Sequence, residues 1–189
     1  MILLVSIFLV SVGATTIWNF YSIYMKENGA SATLVGYGLS FQGLCELPMF
    51  YFSARIITRL GLKSTLVLTM LATTLRLFLY GWIKDPVAAI AIELLQGVSW
   101  SLFWVVCVEC VNKMVAENRR ATGQSILYAA YFGAGQIAGN FWTGFLYDKH
   151  IKISEIFMLN GCLIAVVAIL VAVFLRLDLK TANQAISKD

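Results

Sequence analysis

Four ionisable side chains sit inside runs of sequence that are otherwise apolar. They are Glu46 in LCELPMF (44–50), Arg76 in LRL (75–77), Glu93 at the start of ELLQGVSWSLFW (93–104) and Glu109 in CVEC (107–110). Asn19, Gln42, Gln96, Gln124, Gln136 and Asn140 accompany them in the same kind of surroundings. An ionisable group at bilayer depth costs about 2.5–3.5 kcal/mol on insertion scales and tends to face a cavity or a partner, so these residues carry the chemical information. A carboxylate in such a place can bind and release a proton or accept hydrogen bonds from a solute. A guanidinium can supply the balancing charge.

The spacing suggests how they combine. Arg76 and Glu93 each lie seven residues from the outer end of consecutive helices, which at 1.5 Å per residue puts both roughly 10 Å below the outer surface. Equal depth makes an Arg76–Glu93 ion pair possible, either as a fixed strut or as a pair that a proton or solute can release. Glu93, Gln96, Trp100 and Phe103 recur at helical spacing on one face. Carboxylate, amide and indole together suit a ring-bearing, hydroxylated solute, which hydrogen bonds orient and an aromatic face stacks against; membrane aromatics also serve as plain packing. Glu109, near a helix end where a side chain can reach the headgroups, is read as structural. Pro48, two residues after Glu46, removes an N–H donor and crowds the carbonyl of residue 44, so it is expected to bend its helix beside the carboxylate.

The elements that must hold these residues follow from composition. Of 189 residues, 60% are hydrophobic and 13% charged, and the mean hydropathy is +0.81; this is the signature of an integral membrane protein. Apolar runs of about 20 residues recur, each long enough to cross a hydrocarbon core roughly 30 Å thick. The expected fold is therefore all-α and polytopic, with six transmembrane helices at Ile2 to Met25, Thr33 to Phe52, Ser64 to Ile83, Val87 to Val111, Thr122 to Tyr147 and Ser154 to Leu175. These runs are apolar all round rather than alternating, which argues against a barrel. The bundle would occupy residues 1–180, with a cytoplasmic tail over 181–189, and connectors such as KENGAS and KDP leave no room for a soluble domain.

Lys and Arg set the orientation. One side receives Arg55, Arg59, Lys63, Lys113, Arg119, Arg120, Arg176, Lys180 and Lys188, and the other Lys26, Lys84, Lys149 and Lys152. The richer side is expected in the cytoplasm of a plasma (inner) membrane, together with both ends of the segment. The abrupt apolar start ILLVSIFLV has no basic flank, as a signal peptide would, and suits a piece of a longer polytopic chain. The net charge of +4 is explained by loop residues and calls for no nucleic-acid partner.

Cys45, Cys107, Cys110 and Cys162 all fall within the expected spans, and the C-x-x-C of CVEC, inside a helix and without a second pair, reads as packing thiols. Gly36 and Gly43 in GYGLSFQG, and Gly135 and Gly139 in GAGQIAGN, mark close helix–helix packing, the latter two as a G-x-x-x-G. Catalysis is not expected. TGQSI lacks the G-x-S-x-G of a nucleophile elbow, the lone histidine, His150, is in an outer loop, and neither a metal site nor a cofactor motif is present.

Several stretches resemble a known family. RIITRLGLKS (55–64) is similar to the basic cytoplasmic loop that follows the second helix of each half in the major facilitator superfamily. NRRATGQSILYAAYFGAGQIAGNFWTGFLYD (118–148) resembles that superfamily's tenth-to-eleventh loop and eleventh helix. The E-L-P of the second span, the arginine of LRL and LLQGVSWSLFW (94–104) look like the branch that contains lactose permease and the nucleoside–proton symporters. The resemblance covers nearly the whole chain and implies helices seven to twelve, the C-terminal half of a twelve-helix transporter. It also implies a midplane cavity between two six-helix halves that rock to give alternating access.

By that resemblance Glu46 and Arg76 serve proton coupling and substrate recognition. The expected site is Glu46, Arg76, Glu93, Gln96, Trp100, Gln42 and Asn19, acting on a small polar solute such as a nucleoside or sugar, together with protons. One departure matters. Lactose permease has a histidine, and a glutamate three residues on, in its tenth helix; Gln96 and Ser99 stand there in this chain. Proton coupling would then fall to Glu46 or Glu93, or to the other half. The partners implied are the lipid bilayer and an N-terminal six-helix half or a second copy. The alternatives are a homodimeric six-helix transporter, a non-transporting adaptor, or a drug or metabolite efflux permease.

Overall fold

Helix formation in a hydrocarbon solvent satisfies every backbone N–H and C=O within the segment, and no strand occurs among the described residues. The computed structural model describes residues 2–175. Met1, Arg176, Lys180, Lys188 and the expected tail 181–189 lie outside the described residues.

Six helical rods follow one another: α1 (Ile2–Glu27), α2 (Ala32–Leu60), α3 (Leu62–Trp82), α4 (Pro86–Met114), α5 (residues 120–148) and α6 (Ile153–Phe174). Four of them, α1, α3, α4 and α6, are long and apolar enough to cross a membrane. Both α2 and α5 are as long but less apolar, so composition shows four of the six crossings expected from sequence. Few α2 side chains are buried, chiefly Val35, Gly38, Gln42, Ser53 and Ile57, whereas Tyr37, Leu44, Leu47 and Tyr51 are exposed. On α5, Ile137, Phe141 and Phe145 are likewise exposed. These two rods border a surface that the chain itself does not cover.

Local signals set the rod ends. Ser31 caps α2 by accepting from Leu34 N at 3.2 Å, and Asp85 caps α4 by accepting from Val87 N at 3.0 Å, with Pro86 as first helical residue. Gly61, at φ +80°, separates α2 from α3 in a conformation that a side chain disfavours. Pro48 lies inside α2, which continues through it as one helix.

Two rods depart from regular α geometry. In α4, Pro86–Ile92 is α-helical, Glu93–Leu95 forms a tight 3₁₀ turn, Gly97–Leu102 a wide π turn, and Phe103–Met114 is α-helical again. In α5 a π turn at Ala129–Gly135 interrupts the helix between Arg120–Tyr128 and Gln136–Asp148. Each π turn has a carbonyl claimed by a hydroxyl from a neighbouring rod. The Thr73 hydroxyl, 2.9 Å from Thr69 O of its own helix, also lies 3.2 Å from Ser99 O and shares its one proton between them, and Ser11 donates to Tyr131 O at 2.7 Å. Released backbone groups that find such partners make an irregular turn tolerable away from water.

Around these turns α1 packs on α5 and α6, α3 packs on α6 and on the π turn of α4, and α2 packs on that same turn. The core is aromatic at one level, with the Tyr24 and Tyr80 rings 5.3 Å apart and Tyr80 stacked on Phe157 at 5.0 Å. At another level it is polar: Asn160 donates to Thr16 at 2.5 Å, Thr16 and Thr143 share a hydrogen bond at 3.0 Å, and Trp142 donates to Asn160 at 3.2 Å. That cluster ties α1, α5 and α6 together with buried groups whose partners are all supplied.

Candidate functional site

Arg76 and Glu93 meet as a buried ion pair between α3 and α4. Arg76 is 2% exposed and Glu93 fully buried. The guanidinium divides its donors: one terminal nitrogen goes to Glu93, and to the Tyr80 hydroxyl at 3.3 Å, while the other goes to the Gln96 amide oxygen. Tyr80 in turn donates to the second oxygen of Glu93. The 3₁₀ turn at Glu93–Leu95 explains the double reach, because side chains three residues apart eclipse in that geometry and one arginine can span Glu93 and Gln96.

Gln96 extends the network to a third rod. Its amide nitrogen donates to Glu46 of α2 at 2.7 Å. Glu46, Gln96, Arg76, Glu93 and Tyr80 thus form one chain of hydrogen bonds from a half-buried carboxylate at the uncovered side to a fully buried ion pair. The backbones are close at the same place. A Cβ on Gly97 would stand 2.5 Å from Cys45 O and 3.0 Å from the Cβ of Met49. The charges do not balance: Glu93 neutralises Arg76, and Glu46 makes no ion pair among the described residues. Next to the guanidinium, a void of about 10 Å³ is bordered by Arg76, Thr73, Ser99, Trp18, Trp100 and Tyr131, among others.

Trp100, one turn after Gln96, belongs to an aromatic cluster where α1, α4 and α5 meet. Trp18 lies edge-on to it at 4.9 Å, Trp104 is stacked at 5.7 Å and Tyr131 is tilted at 5.3 Å. Because the π turns of α4 and α5 both contribute to this cluster, the irregular backbone and the aromatic wall are one feature.

The expected residues divide accordingly. Glu46, Arg76, Glu93 and Gln96 are joined directly, and Gln42 is buried one turn before Glu46 on α2. Asn19 stands apart from this network, donating to Asn140 of α5 at 2.8 Å at an exposed position. Tyr80 and Trp18 were not anticipated. Tyr80 follows Arg76 by four residues and so shares its face, a spacing that could have found it; Trp18 carries no such signal. Glu109 pairs with Lys113 at 3.6 Å, with both side chains well exposed. Cys107 and Cys110 are buried and free, and no group of three metal-binding side chains occurs among the described residues.

The glycines differ from one another. A Cβ on Gly139 would lie 2.7 Å from Thr15 Oγ1 and from Val12 O, and one on Gly135 would lie 2.5 Å from Ser11, so both sit tight against α1. Gly36 and Gly43, expected at a helix contact, have nothing within 4 Å and face the uncovered side of α2. The close approaches of α2 are made instead at Gly38, against Tyr21, and at Gly97 of α4.

Comparison with known proteins agrees with this architecture. Residues 1–159 match the family described as MFS_1 like family. Major facilitator superfamily domain-containing protein 6-like protein B of Xenopus laevis is 24% identical over 145 residues, which cover 76% of this chain and 24% of that protein. The uncharacterized transporter YwbF of Bacillus subtilis (strain 168) is 25% identical over 145 residues, 77% of this chain and 36% of its own length. A human major facilitator superfamily domain-containing protein 6-like is 22% identical over 139 residues, 72% of this chain and 24% of its length. The chain thus spans about a quarter to a third of the relatives it matches.

Proposed function

The chain belongs to the MFS_1 like family, and from that premise we propose that it forms the C-terminal six-helix half of a proton-coupled secondary transporter. The cargo is a small polar solute, of the nucleoside or sugar kind. The carrying observation is the hydrogen-bonded chain from half-buried Glu46 through Gln96 to the buried Arg76–Glu93 pair. Glu46, the acid without a counter-charge, takes the proton or the solute's hydroxyls. Arg76 and Glu93 hold α3 to α4 and give Glu46 an electrostatic neighbour that is nearly neutral as a pair. Trp100 offers the aromatic face for the solute's ring. The uncovered faces of α2 and α5 support the presence of a second six-helix body across the cavity, with alternating access by rocking of the two.

The test is proton-driven uptake of labelled uridine and labelled lactose by the full-length protein in vesicles, with Glu46→Gln alongside. The substitution keeps size and hydrogen bonding but removes the titrating group. Uphill accumulation should be lost while downhill exchange continues. Full accumulation against a gradient by Glu46→Gln would remove Glu46 from the coupling step.

A further inference from the structure

We propose that Gln96 is the positioning residue that couples Glu46 to the Arg76–Glu93 pair, by fixing which kind of atom Glu46 must seek in the solute. This rests on the transport reading above and adds a rule for recognition to it.

An amide can point either end at a neighbour, but a guanidinium has donors only. Arg76 donates to the Gln96 oxygen, so the amide NH₂ is turned towards Glu46, to which it donates at 2.7 Å. Turning the amide over would set its NH₂ against the guanidinium and its oxygen against the carboxylate, two mismatches in a fully buried position. The backbone holds it there as well, since Gln96 lies at the junction of the 3₁₀ and π turns, and neighbouring Gly97 is pressed on the Cys45 carbonyl of α2. Around Glu46 the charged and titratable groups are Glu93 of α4 and Cys45 on α2 itself, with Arg76 and Tyr80 of α3 reached through Gln96, and Tyr21 of α1 against Gly38 about two turns away.

The consequence depends on where the proton is. Ionised Glu46 accepts from Gln96 through one oxygen and has its other oxygen open to a donor. When a proton arrives from the aqueous side and bonds to that second oxygen, Glu46 gains an O–H that Gln96 cannot accept, because the amide turns its NH₂ to Glu46 and its oxygen away to Arg76. The new donor must find an acceptor outside the network, and a carbonyl, ring nitrogen or ether oxygen of the solute supplies it. Proton binding thereby changes what Glu46 requires of the solute from a donor to an acceptor. With an apolar residue at position 96 this link between proton and solute disappears.

Vesicles carrying the full-length protein test this with wild type, Gln96→Leu, Glu46→Gln and the double variant, using labelled uridine and labelled lactose. Two readouts are taken: counterflow exchange without a gradient, and accumulation under an imposed proton gradient. Gln96→Leu should lose accumulation by at least about tenfold more than it loses exchange, a split that a general packing defect would not give. Glu46→Gln should lose as much, and the double variant no more than either single, because residues acting as one unit are non-additive. If Gln96→Leu does not support exchange, Gln96→Met, unbranched at Cγ and of similar length, carries the same expectation. Wild-type accumulation by the Gln96 variants, or losses that multiply in the double variant, would overturn the role of Gln96 while leaving proton-coupled transport intact. A wild-type protein that accumulates neither probe would overturn both.

Discussion

Replacing Arg76 by methionine is the sharpest perturbation of the buried pair. The side chain is 2% exposed and its partners are Glu93, Gln96 and Tyr80. Methionine fills similar space, so the loss is electrostatic. Glu93 is left fully buried with only the Tyr80 hydroxyl, and the Gln96 oxygen loses its donor. Removing one member of a buried pair costs about 3–5 kcal/mol, because the other charge stays desolvated and uncompensated. Glu93→Met should cost a comparable amount by stranding Arg76. The double variant, Arg76→Met with Glu93→Met, removes both charges at once and should return to within about 2 kcal/mol of wild type, the residue being the unpaired Tyr80 and Gln96 groups. Unfolding of the purified full-length protein in mixed micelles, followed by circular dichroism against increasing denaturing detergent, measures all three. The reasoning is refuted if the double variant is as unstable as the sum of the singles. Transport should stay impaired in the double variant even where stability recovers, since Gln96 has lost the donor that orients its amide.

Three further outcomes follow from particular contacts. Gly139→Ala should destabilise by roughly 1–3 kcal/mol, because the new Cβ would overlap Thr15 and Val12 of α1, whereas Gly36→Ala, in open space, should be neutral or stabilise by up to about 1 kcal/mol; the same unfolding assay compares them. Asn160→Leu should cost about 1–3 kcal/mol by leaving the Trp142 N–H without its acceptor and taking one of the two partners of Thr16, which keeps Thr143. Glu109→Gln should change stability by less than about 1 kcal/mol, since its partner Lys113 is a well-exposed i,i+4 neighbour.

Depth along the chain was legible before any contact was known, and it was enough to suggest Arg76 with Glu93. Two residues equally far from the outer ends of consecutive antiparallel helices need only the right rotation to meet, and the structure supplies it. Rotation itself was not legible. Asn19 was grouped with the site on residue type alone, yet α1 turns it to Asn140 of α5. Gly36 and Gly43 had the smallness that close packing needs, but smallness does not say which face a neighbour occupies. In α2 the Tyr21 side chain meets Gly38, and the close approach to the α2 backbone comes through Gly97 of α4. Apolar composition was legible for α1, α3, α4 and α6, and it is weaker in α2 and α5, whose large apolar side chains are left exposed by the chain itself.

The least legible feature, the irregular backbone of α4, is also what makes the site possible. A regular helix would set Glu93 and Gln96 at an angle to one another, and one guanidinium would serve them unequally. The over-wound 3₁₀ turn eclipses them, and the under-wound π turn that follows brings the rod back towards its original register before Phe103. Neither turn is stable in isolation at membrane depth, where a carbonyl released from the helical ladder has no water to bond. Thr73 of α3, three residues along its own helix from Arg76, places its hydroxyl between Thr69 O at 2.9 Å and Ser99 O at 3.2 Å, so Ser99 O has a share of its proton. Structural support and site chemistry therefore share one face of α3: Thr73 fixes the shape of α4, and Arg76, nearly a turn further on, uses it. Thr73→Val, isosteric but without the donor, should accordingly weaken transport through the Glu46–Gln96–Arg76 chain although it touches none of those residues. Transport by Thr73→Val equal to wild type in the vesicle assay would show that the π turn holds its shape without that hydroxyl.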